Sequence, residues 1–140
     1  MIDNTTAPYA ALILRVTTGA LFLAHGLTKL LVFTPAGTAG FFSSLGLPGW
    51  LGILTMIAEI AGGIALILGI ATRYVSAGLV PVLLGAAFFA HAGAGFGWSN
   101  EGGGWEYPVM WAAVQAALAL LGDGALALYP TRRIQSALAA

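Results

Sequence analysis

Four stretches of this chain are apolar for long enough to cross a bilayer as a helix, which takes about 20 residues. They run from about Tyr9 to Val32, Leu51 to Ile70, Tyr74 to His91 and Tyr107 to Tyr129. None alternates polar and apolar positions as a barrel strand would. Leu, Ala and Gly dominate them, a composition suited to membrane helices. Between the first two lies Phe33–Trp50, uncharged and rich in Gly, Ser and Pro. Only Ala71, Thr72 and Arg73 separate the second and third, so those spans must be antiparallel neighbours. The last connection, Ala92–Glu106, reads AGAGFGWSNEGGGWE. No linker divides the chain. The pattern predicts an all-α fold: one integral membrane four-helix bundle over residues 1–140.

Composition agrees. Among 140 residues there are five Lys/Arg and five Asp/Glu, 7% in all, where a soluble domain carries about 25%. Hydrophobic residues make up 59% and the mean hydropathy is +0.93. Ten charges cannot cover the surface of a soluble domain of this size, and the hydrophobicity excludes disorder. The zero net charge gives no reason to expect a nucleic-acid partner. The absence of cysteine excludes a thiol nucleophile or a disulfide on this chain. The leading MIDNTTAP holds no Lys or Arg, and Arg15, His25 and Lys29 interrupt the first apolar run. That is a poor signal peptide, so a retained span is expected.

The positive charges orient the bundle. Arg73 falls in the second connection, Arg132 and Arg133 follow the fourth span, and the first and third connections hold no Lys or Arg. Both termini are therefore expected in the cytoplasm. Trp50, Trp98, Trp105 and Tyr107 then mark the outer boundary, and Tyr74 and Tyr129 the inner one. Glycines seven apart (Gly19 and Gly26, Gly62 and Gly69, Gly78 and Gly85) suggest small-residue seams where helices touch. Pro81 should bend the third span.

A charge in hydrocarbon costs about 2.5–3.5 kcal/mol even on a mild scale, so the remaining ionisable groups need partners. At about 1.5 Å of rise per residue, Arg15 and Asp123 both lie about 9 Å to the cytoplasmic side of the midplane. They are expected to form a structural ion pair joining the first and fourth spans. His25, Lys29, Glu59, His91 and Gln115 lie outward of the midplane and are the candidate ligand-binding residues. Arg15, Gly19, Phe22, Gly26 and Lys29 share one face of the first span. Glu59, Gly62, Leu66, Gly69 and Arg73 share one face of the second, and the two stripes should face each other. Two readings of the outward set stand side by side: a polar pocket for a headgroup such as a quinone ring, or a Glu59 contact to Lys29 or His25 that simply fastens two helices.

No metal site is expected. His25 and His91 differ by roughly 7 Å in depth, too much for paired haem ligands, and no local ligand spacing supports zinc. His91 is expected as an interfacial ring hydrogen-bonded to the third connection. The run Gly102–Gly104 lacks the Lys-Ser/Thr of a phosphate loop and reads as a tight outer cap under Trp98 and Trp105.

RVTTGALFLAHGLTKL (Arg15–Leu30), AEIAGGIALILGIATR (Ala58–Arg73) and LLGDGALAL (Leu120–Leu128) resemble the DoxX family of small bacterial four-span membrane proteins. GWSNEGGGWEYP (Gly97–Pro108) resembles its members with a Gly-rich final loop. Arg15, Lys29, Glu59, Gly62, Gly63 and Arg73 match the family pattern position by position. The resemblance implies a multi-pass protein of the bacterial cytoplasmic (inner) membrane, in contact with lipid. It also implies the membrane subunit of a redox system, some relatives being linked to thiosulfate:quinone oxidoreduction. The expected function is a subunit that binds a quinone or similar amphipathic molecule within the bundle and supports a redox protein partner. No catalytic residue is assigned, and self-association into a homo-oligomer is left open. The alternative is a small-solute or proton carrier, or an assembly factor for a membrane complex.

Overall fold

The computed structural model describes residues 3–139. Its helices are α1 (Ala7–Leu31), α2 (Thr34–Ser44), α3 (Gly49–Leu68), α4 (Thr72–Gly85), α5 (Glu106–Leu121) and α6 (Thr131–Leu138). A π-helical turn, Ala86–His91, and a 3₁₀ turn, Ala92–Ala94, continue α4. Three helical stretches, Ala7–Leu31, Gly49–Leu68 and Thr72–Ala94, are long and apolar enough to cross a membrane, and α5 is a shorter apolar helix. α1 packs along α3 and α2, and α4 packs along α5 and α3. Large apolar side chains such as Ile13, Ile57, Leu84, Phe88 and Met110 stand exposed around the outside. A bilayer suits such a surface, because lipid tails are as apolar as the side chains.

Two departures from the sequence reading matter for function. Phe33–Trp50 is not a plain loop. It holds α2, whose Pro35 sits in the first turn, where its missing N–H goes unneeded. The fourth helix also stops at Leu121 rather than reaching Tyr129. Gly122 has φ +95° and Gly124 φ +71°, values that favour glycine. The chain then folds back beside the end of α3: Leu128 N–H donates to Leu68 O, and Tyr129 N–H to Gly69 O. Ala125 N–H donates to Pro8 O at the start of α1. Non-helical backbone at this depth is tolerated because protein satisfies its hydrogen bonds.

The glycine spacings divide. Gly19 and Gly26 do form a seam with α3. A Cβ on Gly19 would lie 2.9 Å from Gly63 O, and one on Gly63 2.7 Å from both Gly19 O and Leu23 N. Gly26 would meet Ile60 N at 2.9 Å. Gly62 faces Leu79 of α4, and Gly69 is the left-handed cap of α3. Gly78 and Gly85 have nothing within 4 Å, so their spacing marks no seam.

At the end of the bundle holding Arg15, Arg73 and Asp123, each charge caps a helix. Arg15 Nη1 donates to Leu66 O (3.0 Å) and Ile67 O (2.9 Å), the last carbonyls of α3, and Nη2 to Ala125 O (2.7 Å). Arg73 donates to Ala119 O, Leu120 O and Leu121 O at the end of α5. Asp123 accepts from Thr72 N at the start of α4, and from Thr131 N and Oγ1 at the start of α6. Cations thus sit at C-termini and the carboxylate at N-termini, as the helix dipole and the orphan backbone groups both favour. The expected Arg15–Asp123 ion pair is therefore not formed. Each charge is taken by a helix end that lies nearer than the other side chain.

Candidate functional site

The other half of the bundle contains a cavity of about 1160 Å³. Ligand pockets for drug-sized molecules are commonly 300–1,000 Å³, so this one has room for a ring and part of a chain. Its lining comes from every helix except α6 and includes the Gly-rich connection. Most of the wall is apolar, with a few polar groups converging on it, the usual make-up of a small-molecule site.

Lys29 and Glu59 form the polar centre. The close crossing at Gly26 brings α1 against α3, and Glu59 sits one residue before Ile60 at that contact. Lys29 Nζ lies 2.9 Å from Glu59 Oε1 and 2.8 Å from Oε2. Glu59 is buried and Lys29 partly so. The pair is a charge-assisted, two-oxygen contact in a low-dielectric setting, where such bonds are strong. An ammonium has three N–H donors, and Glu59 takes two of them. The remaining one is available to a ligand acceptor.

Two histidines line the same cavity. His25 lies on α1 and its ring stands 5.5 Å from the Trp111 ring. Trp111 in turn packs on Phe22 at 4.4 Å, so α5 holds the imidazole against the wall. His91 ends the π-helical turn, and its Nδ1 lies 2.9 Å from Gly103 O. A carbonyl can only accept, so Nδ1 carries the hydrogen. In the neutral ring, Nε2 then keeps its lone pair. π-Helical turns occur frequently at functional sites, and this one supplies Ala86, Phe89 and Ala90 to the lining as well as His91.

The Gly-rich connection closes one side. Trp98 N–H donates to Glu106 Oε1 (2.8 Å), Asn100 Nδ2 to Ala94 O (2.8 Å) and Gly103 N–H to Asn100 O (2.8 Å). Gly102 and Gly103 take positive φ. A Cβ on Gly104 would collide with the carbonyl oxygens of Phe96 and Gly97. The glycine run is thus a close-packed cap that holds His91, as its sequence suggests.

Of the five candidate residues, His25, Lys29, Glu59 and His91 all line the cavity. Gln115 is fully buried and does not line the cavity. The sequence reading missed Trp111 and the α2 wall, where Thr38, Phe41 and Phe42 line the cavity. Thr38 is tied to α1 by donating to Lys29 O at 3.2 Å. Pro35 after Thr34 was the available signal for that helix. Among the described residues, no three His, Asp or Glu side chains gather closely enough to hold a metal ion.

The model of the DoxX family matches residues 10–92, more than half of the chain. The chain belongs to the DoxX family. His25, Lys29, Glu59 and His91 fall within the matched segment, whereas Gln115 and Asp123 lie beyond it. A protein of Bacillus subtilis (strain 168) named "Putative oxidoreductase CatD" is 34% identical over 127 residues, covering 91% of this chain and 90% of that protein. No solved structure matches. A DoxX protein of this form is a multi-pass membrane protein, and lipid contact follows from its exposed apolar helices.

Proposed function

We propose that this DoxX protein is the membrane subunit of a redox system and binds a quinone-like amphipathic molecule in the cavity. It would lie in the bacterial cytoplasmic membrane with its termini inside. The observation that carries the reading is the Lys29–Glu59 pair on the wall of a large apolar cavity. A quinone carbonyl accepts hydrogen bonds, and the third Lys29 N–H and the His25 ring are donors of the right kind. A quinol hydroxyl donates, and the unprotonated Nε2 of His91 accepts. Phe33, Phe41, Leu54 and Phe89 line the cavity and are themselves exposed, so the cavity is not sealed, which suits a tail that continues into lipid. The relative's name supports an oxidoreductase setting. The chain brings no cysteine and no bound-cofactor motif, so electrons would come from a protein partner.

The test is a titration of the purified protein with a decyl-tailed benzoquinone, read by quenching of Trp111 fluorescence in a variant lacking Trp50, Trp98 and Trp105. Saturable quenching is expected, weakened at least tenfold by Glu59→Gln and by Lys29→Ala. Unsaturable quenching would remove the ligand. Saturation with unchanged affinity in both variants would remove this site. Solute leak from reconstituted vesicles that depends on Glu59 would favour a carrier instead.

A further inference from the structure

Beside the cavity and reaching its wall at Trp111, the core between α1, α4 and α5 holds a second concentration of polar groups. Thr72 Oγ1 and Ser76 Oγ on α4, and Trp111 Nε1 with both amide atoms of Gln115 on α5, are buried with no hydrogen-bond partner among the described residues. Arg15 Nε is in the same state. Thr72, Ser76 and Gln115 are all at 0% exposure. Leaving a buried polar group unpaired is costly, and most buried polar atoms in native proteins are paired. Six such atoms in one small core point to a ligand that can both donate and accept.

Helix register places them in a file. Arg73 reaches Ala119–Leu121, which sets the start of α4 level with the end of α5. Rising about 1.5 Å per residue from there, Thr72, Ser76, Gln115 and Trp111 follow in order of depth. Their axial steps are about 6, 3 and 6 Å. One water bridging two groups at about 2.8 Å each spans about 5.6 Å, close to the two longer axial steps; the shorter one joins α4 to α5, across which the groups are also offset sideways. The ends are chemically distinct. Thr72 N–H is bonded to the Asp123 carboxylate, and Trp111 stacks near His25 on the cavity wall.

We propose that this file is a water-binding site that relays protons between Asp123 and His25. A proton arriving at the Asp123 carboxylate passes along the waters and the hydroxyls of Thr72 and Ser76, each O–H bond breaking as the next forms. It ends on an imidazole nitrogen of His25. Gln115 and Trp111 hold the waters and do not themselves carry the proton. Arg15 lies near the entry and keeps its charge on the α3 carbonyls. The route stands on the core alone; only the use of the delivered proton rests on the quinone reading.

The experiment is proton entry into vesicles containing the full chain and a trapped pH dye, under a potassium–valinomycin potential. Wild-type protein is expected to raise the rate well above that of protein-free vesicles. Gln115→Leu and Ser76→Ala should each lower the increment at least fivefold, with circular dichroism confirming helical content. A wild-type rate equal to that of empty vesicles would overturn the relay, as would undiminished rates in both variants. Thermal unfolding separates the water site from dry packing. Relief of a dry, unpaired amide would make Gln115→Leu melt higher than wild type and would overturn the water site. Loss of water-mediated bonds should make it melt lower. Failure of quinone titration alongside intact, Gln115-dependent flux would leave this inference standing and remove the other.

Discussion

Lys29 Nζ sits 2.8 Å from Glu59 Oε2 across the close α1–α3 crossing, with Glu59 buried and both residues lining the cavity. The contact therefore has two consequences that can be separated. As a fastening, it is one partly buried ion pair. As a site, it presents an N–H donor to the cavity. Removing one partner leaves the other charge uncompensated, typically at a cost of about 3–5 kcal/mol, whereas replacing both by apolar residues is often neutral or stabilising. Lys29→Met and Glu59→Leu are each expected to lower thermal stability, and the double variant to recover most of the loss. Quinone binding should not recover with it. Binding restored together with stability would show that the pair only fastens helices.

Arg15 gives a second prediction. Its guanidinium is 1% exposed and spreads over Leu66 O, Ile67 O and Ala125 O. A planar fork can serve three carbonyls from two chain segments, and an ammonium cannot match that spacing. Arg15→Lys is expected to lose about 2–4 kcal/mol, most of the effect of Arg15→Ala, because hydrogen bonds from a charged group are worth about 1.5–3 kcal/mol each. Denaturant or thermal unfolding in a mild detergent measures it. Near-wild-type stability of Arg15→Lys would mean that charge alone, not the fork, holds the end of α3.

The same residue shows what the sequence could and could not disclose. The apolar runs announced the helices because bilayer thickness imposes a length on them. The shared face of Arg15, Gly19, Phe22, Gly26 and Lys29 announced the α1–α3 contact because helical spacing is rigid. Four of the five candidate residues line the cavity. Partner choice was not legible. Equal depth makes Arg15 and Asp123 look like a pair, yet depth says nothing about which helix end lies closer. The turn after Leu121 was hidden because Ala125–Tyr129 is as apolar as a span, and its course depends on backbone bonds to Pro8, Leu68 and Gly69. Helix α2 was hidden by its Gly and Ser content, which is tolerated because α2 packs beside α3. A Cβ on Gly52 of α3 would stand 3.0 Å from Thr38 O.

The glycines supply a third prediction, with internal controls. Gly63→Ala places a methyl 2.7 Å from backbone atoms of Gly19 and Leu23, and backbone cannot swing aside. Overpacking of this sort costs about 1–3 kcal/mol. It should also widen the crossing that sets the Lys29–Glu59 distance, so quinone affinity should fall with stability. Gly78→Ala and Gly85→Ala meet nothing. Each should be neutral or stabilising by up to about 1 kcal/mol, the helix-propensity gain of Ala over Gly. A melting series of the three variants checks the contrast. Equal destabilisation by all three would mean that glycine serves chain flexibility here rather than contact.

The Gly-rich cap yields the last prediction. Gly104 lies against the carbonyl oxygens of Phe96 and Gly97, and its neighbour Gly103 holds His91 through Nδ1. Adding a methyl at Gly104 must push the connection away from those carbonyls, and the backbone bonds Trp105 N–H to Gly95 O and Glu106 N–H to Phe96 O lie directly beside it. Gly104 lies outside every helix, so Gly104→Ala should leave overall helical content unchanged. The His91 ring should lose its fixed donor, and the cavity should open at the cap. The expected readouts are faster proteolysis between Gly95 and Glu106, together with weaker quinone binding. His91→Ala should weaken binding without the proteolytic change, because it removes the ring but spares the Asn100 and Glu106 bonds that fold the cap. If Gly104→Ala opened the cap to protease and affinity stayed unchanged, the cap would be a surface feature and the cavity would be complete without it.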